Sequence, residues 1–243
     1  MGLRFILGRA GTGKTRLCLE EIKGLAHQGG NNSLIMLVPE QATLVTEREV
    51  FGFLNRPAQA RVQVLSFRRL GWRVFQEVGG AARPHIGEMG KRMLLKRAVN
   101  SLKGELRLFA PLAHRMGFIE QLAHITAEFK LYRVTPEQLL EAARMASEKY
   151  GAEHNLTLKL KELGLIYRKL EDLLEGCYLE PEDYLSLLSH RLTRAPFLKG
   201  SFIWVDGFKG FTPQEEAVLA SLLTTAERVT VCLCLDPSQR RVP

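Results

Sequence analysis

Eight residues near the start of the chain have the types and spacing needed to hold a polyphosphate. Gly8-Arg9-Ala10-Gly11-Thr12-Gly13-Lys14-Thr15 fits the pattern G-x-x-x-x-G-K-[ST]. Glycines let a backbone curl closely around a polyphosphate, and successive N–H groups then converge at a helix N-terminus, where the macrodipole favours anions. In that role the eight residues contact ATP, Lys14 reaches the β- and γ-phosphates, and the Thr15 hydroxyl takes one Mg²⁺ position. A second stretch, Ser201-Phe202-Ile203-Trp204-Val205, is apolar and ends in Asp206, which would hold the same Mg²⁺ opposite Thr15, directly or through water. The plainer readings are a glycine-rich turn with a surface lysine, and an aspartate that caps the next turn. Finding both patterns in one chain favours the metal role.

Hydrolysis is a separate matter. A carboxylate commonly follows such an aspartate and orients or activates the attacking water, but here the next residue is Gly207. A missing general base costs ~10²–10⁴ in rate. An arginine finger, worth ~10³–10⁵, would have to come from another domain or subunit. Glu215 and Glu216 follow about two helical turns further on. The expectation is a chain that binds ATP with Mg²⁺ and hydrolyses it poorly, with no catalytic residue assigned.

The elements that must position these residues are legible from hydrophobic periodicity. Leu3 to Leu7 reads as a strand ahead of the glycine loop, and Arg16 to Ala26 as a helix behind it, with Leu17, Leu19, Ile22 and Leu25 at helical intervals. Leu34 to Val38 is a buried strand, Ala42 to Leu54 a helix, Val62 to Leu65 a third strand, and Ser66 opens a helix that reaches about Val78. Alternating strands and helices with continuously apolar strands predict a parallel sheet covered on both faces.

From Glu88 to Arg194 nothing reads as a strand. Phe118, Leu122, Ile125, Phe129 and Tyr132 form one helical stripe, and Leu160, Leu163, Tyr167, Leu170 and Leu174 another. Thr135-Pro136-Glu137 and Glu180-Pro181-Glu182 are helix starts with proline in the first turn. The sheet resumes at 201–205, a helix runs from Thr212-Pro213 to about Thr225, and Val229 to Leu235 is a further strand. The expected architecture is an α/β domain made of residues 1–80 and 200–243, interrupted by an all-helical subdomain, 81–199.

Composition narrows the class. At 46% hydrophobic and 25% charged residues the chain is an ordinary globular one, and no apolar run approaches the ~18 residues of a membrane span. A cytoplasmic location with no membrane partner is expected. The net charge of +8 suggests a polyanionic partner such as DNA. Ser66, Phe67, Arg68 and Arg69 follow the third strand, where ligands of such sheets gather, and are the DNA-binding candidates. Phe67 and Trp72 suit either base stacking or core packing. Arg92, Lys96 and Lys103 could track a phosphate backbone or form a solvated face. The four cysteines, Cys18, Cys177, Cys232 and Cys234, form no metal-binding framework and read as small buried side chains, and the six histidines are scattered.

Taken together, several segments resemble one family. Gly8 to Thr15, Val38-Pro39-Glu40-Gln41 with Glu47, Val64 to Leu70, Trp204-Val205-Asp206-Gly207-Phe208, and Phe211-Thr212-Pro213-Gln214-Glu215 are similar to AddB (RexB), the B subunit of the bacterial AddAB helicase–nuclease. The similarity spans nearly the whole chain but only the beginning of that longer subunit. It implies a RecA-like P-loop NTPase domain, the first domain of a superfamily 1 helicase-like fold, carrying an inserted helical subdomain. It implies an AddA-like partner subunit, DNA as substrate, and a role in processing double-strand ends for recombinational repair.

The resemblance also implies an idle motor, since active relatives show Asp-Glu-x-Gln where this chain has Asp206-Gly207-Phe208-Lys209. An adenine-contacting glutamine upstream of the glycine loop, usual in active relatives, is absent. Nuclease carboxylates and iron–sulphur cysteines would belong to the remainder of the subunit, and none of the four cysteines here is carried over as a cluster ligand. Val64 to Leu70 falls where related helicases contact single-stranded DNA. Two other functions remain open at this stage: a stand-alone phosphate-loop kinase or ATPase with the helical insertion as lid, and a non-hydrolysing scaffold for a motor subunit.

Overall fold

The computed structural model of the chain describes residues 2–80 and 83–236. Residues 1, 81–82 and 237–243, which terminate the segments drawn above, lie outside the described residues. The elements in chain order are β1 (Gly2–Gly8), α1 (Lys14–His27), β2 (Leu34–Leu37), α2 (Thr43–Phe53), α3 (Arg56–Gln59), β3 (Val62–Leu65), α4 (Phe67–Val78), α5 (Glu88–Ser101), α6 (Met116–Leu131), α7 (Pro136–Tyr150), α8 (Asn155–Leu174), α9 (Tyr184–Arg191), β4 (Phe202–Val205), α10 (Pro213–Leu223) and β5 (Arg228–Cys234).

The five strands form one parallel sheet in the order β1-β5-β4-β2-β3. Every residue of β2 is buried, as a central parallel strand covered on both faces requires. Alternate residues feed two cores. On the first face Leu34, Met36, Val38, Val64, Trp204 and Cys232 meet Cys18, Ile22 and Ala26 of α1 and Val50 of α2. On the second, Ile35, Leu37, Ile203, Val205, Val229 and Val231 meet Phe67, Leu70 and Val74 of α4 and Val218 and Leu222 of α10. The helix starts have local causes. The Ser66 hydroxyl accepts the Arg69 N–H at 3.2 Å to open α4, and Thr212 with Glu215 forms a capping box at α10, where Pro213 fills the first turn.

The molecule divides into two compact units, Met1–Gly80 with Leu185–Pro243, and Ala81–Tyr184. Residues 185–199, which the sequence pattern assigns to the insertion, belong to the sheet unit. Leu188, Leu192, Ala195 and Leu198 are buried in the core of its second face. Helical periodicity identifies a helix but not the core it joins, which is why the return boundary reads differently in sequence.

The second unit is helical apart from a single bridge, His85 to Leu179. Its core joins Leu95 and Val99 of α5, Ile119 and Leu122 of α6, and Leu163, Ile166, Leu170 and Leu174 of α8. The α7–α8 pair approaches closely because position 164 is glycine: a Cβ there would lie 2.9 Å from the Leu140 side chain. Thr135 and Gln138 form the capping box expected at α7. The Glu180-Pro181-Glu182 start is a short 3₁₀ turn, Pro181–Asp183, leading into α9. The buried carboxylate of Glu162 accepts the backbone N–H groups of Arg107, Leu108 and Phe109 at 2.7, 2.7 and 2.8 Å. It thereby satisfies a loop that makes no ladder of its own. Arg92 is held in ion pairs with Glu88 and Glu120.

Candidate functional site

Because all strands run parallel, the segments after β1, β2, β3 and β4 emerge at one end of the sheet, and the sequence candidates lie there. The loop between β1 and α1 is shaped by its glycines. Gly11 and Gly13 have φ of +77° and +85°, the left-handed region that other residues adopt only with strain. Gly8 is fixed for a different reason: a Cβ there would sit 2.6 Å from Thr12 Oγ1. The Thr12 hydroxyl donates to the Arg9 carbonyl at 2.8 Å. Lys14 Nζ folds back over the loop, donating to the carbonyls of Gly8 and Arg9 at 2.9 and 2.8 Å. Arg9 is ion-paired with Asp236 beyond β5. A cleft of about 490 Å³ opens beside this loop, lined by Ile6, Leu7, Gly8, Arg9, Thr12, Gly13, Lys14 and Leu17.

The second half of the site comes from β4. Asp206 is 7% exposed, its N–H donates to the Leu37 carbonyl at 3.0 Å, and its carboxylate accepts the Thr15 hydroxyl at 2.5 Å. Two residues 191 positions apart are thus in direct contact. Gly207 has φ +81°, and a Cβ there would lie 3.3 Å from Pro39 Cδ. Position 207 is therefore a backbone corner that disfavours any side chain, a carboxylate included. Glu215 supplies no substitute, because its carboxylate accepts the Thr212 N–H at 2.8 Å and the Thr212 hydroxyl at 3.1 Å.

A supporting brace behind the loop has no sequence signature. The Glu21 carboxylate on α1 accepts Arg4 Nη2 of β1 at 2.8 and 2.7 Å and Trp204 Nε1 of β4 at 2.9 Å. Burial pushes the Glu21 carboxyl up, but the hydrogen bonds from Trp204 and Arg4 outweigh it and hold the group below its ordinary value. An arginine inside an apolar strand is the one hint the sequence offers. Close by, the Sγ atoms of Cys18 and Cys232 are 3.3 Å apart and buried. The hydrogen bond to Cys232, followed by burial, pushes the Cys18 thiol up and keeps it protonated. Cys234, read as buried, is exposed at the strand end. Among the described residues no group of three or more His, Cys, Asp or Glu side chains could hold a metal ion.

The segment after β3 is tied to its neighbours. Ser66 and Phe67 are buried. The Ser66 hydroxyl donates to Glu40 after β2, and the Phe67 ring stands edge-on to Phe208 after β4, with centroids 5.4 Å apart. Arg69 pairs with Glu47 of α2 at 2.8 Å, and Arg68 is exposed. Of the two aromatic residues here, Phe67 is core and Trp72 is 62% exposed.

An all-parallel sheet with helices on both faces, and its loops converging at the strand ends, defines an α/β protein of the Rossmann-like or RecA-like kind. The family described as ADDB, N-terminal, matches residues 5–243, and the chain belongs to that family. It is 58% identical over 241 residues to the B subunit of the ATP-dependent helicase/deoxyribonuclease of Moorella thermoacetica, covering 99% of this chain and 21% of that protein. It is 53% identical over 242 residues to the protein of the same name from Desulforudis audaxviator, covering 99% and 21%. The Heliobacterium modesticaldum counterpart is 48% identical over 244 residues, covering 100% and 20%. The chain therefore spans about a fifth of the length of these relatives. No helix among the described residues is long and apolar enough to cross a membrane.

Proposed function

We propose that this segment is the nucleotide-binding N-terminal part of the B subunit of a helicase/deoxyribonuclease, and that ATP acts on it as a regulatory ligand rather than as fuel. The observation that carries this is the contact between the Thr15 hydroxyl and the buried Asp206 carboxylate beside the glycine loop. A buried carboxylate and a hydroxyl at the mouth of a glycine-shaped loop are hard oxygen donors suited to Mg²⁺. Gly8 to Thr15 would hold the polyphosphate, with Lys14 as counter-charge, and Thr15 and Asp206 would hold the metal. When bound, the ion neutralises phosphate charge. Gly11 and Gly13 keep the loop open, the Glu21–Arg4–Trp204 brace fixes α1 against β1 and β4, and the Gly207 corner leaves the site without an adjacent base.

By the names its relatives carry, the assembly is a multisubunit one acting on DNA, with an AddA-like motor subunit as partner and double-strand ends as substrate in cytoplasmic recombinational repair. The exposed Arg68, with Arg69, at the carboxyl end of β3 is the DNA-facing candidate, and Ser66 and Phe67 shape that segment from within.

The test is titration with Mg²⁺ and a fluorescent ATP analogue, wild type beside Lys14→Ala, with steady-state turnover recorded in parallel. Binding that is lost in a folded Lys14→Ala protein, together with negligible turnover, is expected. Equal binding by both proteins, or robust turnover without DNA or partner, would overturn the proposal.

A further inference from the structure

We propose that the sheet is completed, in the full-length protein, by the polypeptide that follows residue 243. That segment would cross Leu3, Phe5 and Leu7 as a helix and return as a parallel strand beside β1.

The first observation is an open edge. Among the described residues β1 has a neighbour on one side only, β5. The Gly2 N–H donates to the Glu227 carbonyl at 3.0 Å, so by strand alternation the backbone groups of Leu3, Phe5 and Leu7 face away from β5. An edge of this kind, apolar and seven residues long, is a ready template for another strand.

The second is an uncovered face. Leu3, Phe5 and Leu7 are 50%, 53% and 48% exposed. They are the register partners of Val229, Val231 and Leu233, which continue the apolar face covered by α4 and α10. Parallel sheets are covered on both faces, and here the cover stops one strand short of the edge.

The third is handedness, which links the other two. The connections β1–α1–β2 and β2–α2–β3 step towards β3 with their helices on the first face. The connections β3–α4–β4 and β4–α10–β5 step back with their helices on the second face. All four therefore share one hand, and parallel crossovers are right-handed almost without exception. A further step of the same hand from β5, past β1 to the open edge, must carry its helix on the second face. That is where Leu3, Phe5 and Leu7 are bare.

The occupant is available in the same polypeptide. The family is that of an N-terminal segment, and the relatives are about five times longer than this chain. A second copy fits less well. Two β1 edges related by a two-fold axis would pair antiparallel and bring no helix over the exposed row.

The test uses the full-length protein, purified as a monomer without its partner and followed by residue-resolved amide hydrogen exchange. The amides of Leu3, Phe5 and Leu7 are expected to be protected to the same degree as those of β4. Phe5→Ser should lower the urea midpoint of the full-length protein, and Phe5→Leu should keep most of it. Rapid exchange of those amides in the folded monomer would overturn the proposal, as would an unchanged midpoint in Phe5→Ser. Protection that appears only when light scattering reports a dimer, or only after the partner is added, would also overturn it and assign the edge to that molecule.

Discussion

At position 207 a single backbone angle limits the chemistry open to its neighbour. Gly207 turns the chain at φ +81° directly after Asp206, with Pro39 Cδ 3.3 Å from where a Cβ would stand. An L-residue in that region is strained by roughly 1–2 kcal/mol before any contact is counted. Gly207→Ala should therefore lower the stability of the sheet unit by about 1–2 kcal/mol, read as a drop in urea midpoint at constant slope. A neutral outcome would mean that the corner relaxes and that the missing base is not enforced by the backbone. Gly8, Gly11 and Gly13 act at the same scale, each for a separate steric reason, and only the last two need positive φ.

Among the elements of the helical unit, an ionic cluster joins α6 and α8 to the segment ahead of α9. Lys130 of α6 is 7% exposed and contacts Glu180, Glu171 at 3.0 Å and Asp183 at 2.8 Å. Glu180 is fully buried and also meets Lys91 of α5 at 2.8 Å. Burial alone would lower the Lys130 pKa, but the charges of Glu180 and Glu171 more than offset it and keep the ammonium charged. Removing one partner leaves a buried charge undercompensated, which costs about 3–5 kcal/mol. Lys91 still neutralises part of Glu180, so Lys130→Met should fall near about 3 kcal/mol, measured by denaturant unfolding of the helical unit. A loss under about 1 kcal/mol, as for an exposed pair, would show that water reaches the cluster.

For the molecule as a whole, the excess of 34 basic over 26 acidic residues favours association with a polyanion, and such association weakens as salt rises. If the carboxyl end of β3 faces DNA, affinity of the full-length protein for a single strand should fall linearly on a log–log salt plot. Arg68→Ala should reduce that slope by roughly 0.7, the share of one phosphate contact. An unchanged slope would remove Arg68 from the interface. At this scale the open edge of β1 and the chain's span of about a fifth of its relatives describe the same condition, a sheet that lacks one layer of cover.

The sequence alone determined what local periodicity and spacing can encode. Strands such as Leu34 to Leu37 announce themselves by continuous apolar character, α7 and α10 by their capping residues and prolines, and the glycine loop by its spacing. Tertiary structure decided what depends on strand order. Asp206 reaches Thr15 because β4 and β1 lie in one parallel sheet, separated by β5 alone. Phe67 is core because Phe208, from a strand about 140 residues later, closes over it. The helical segment 185–199 joins the sheet core rather than the insertion, and the Glu21–Arg4–Trp204 brace forms at all, for the same reason. Periodicity reports which face of an element is apolar, whereas its partner is set by the packing of elements far apart in the chain.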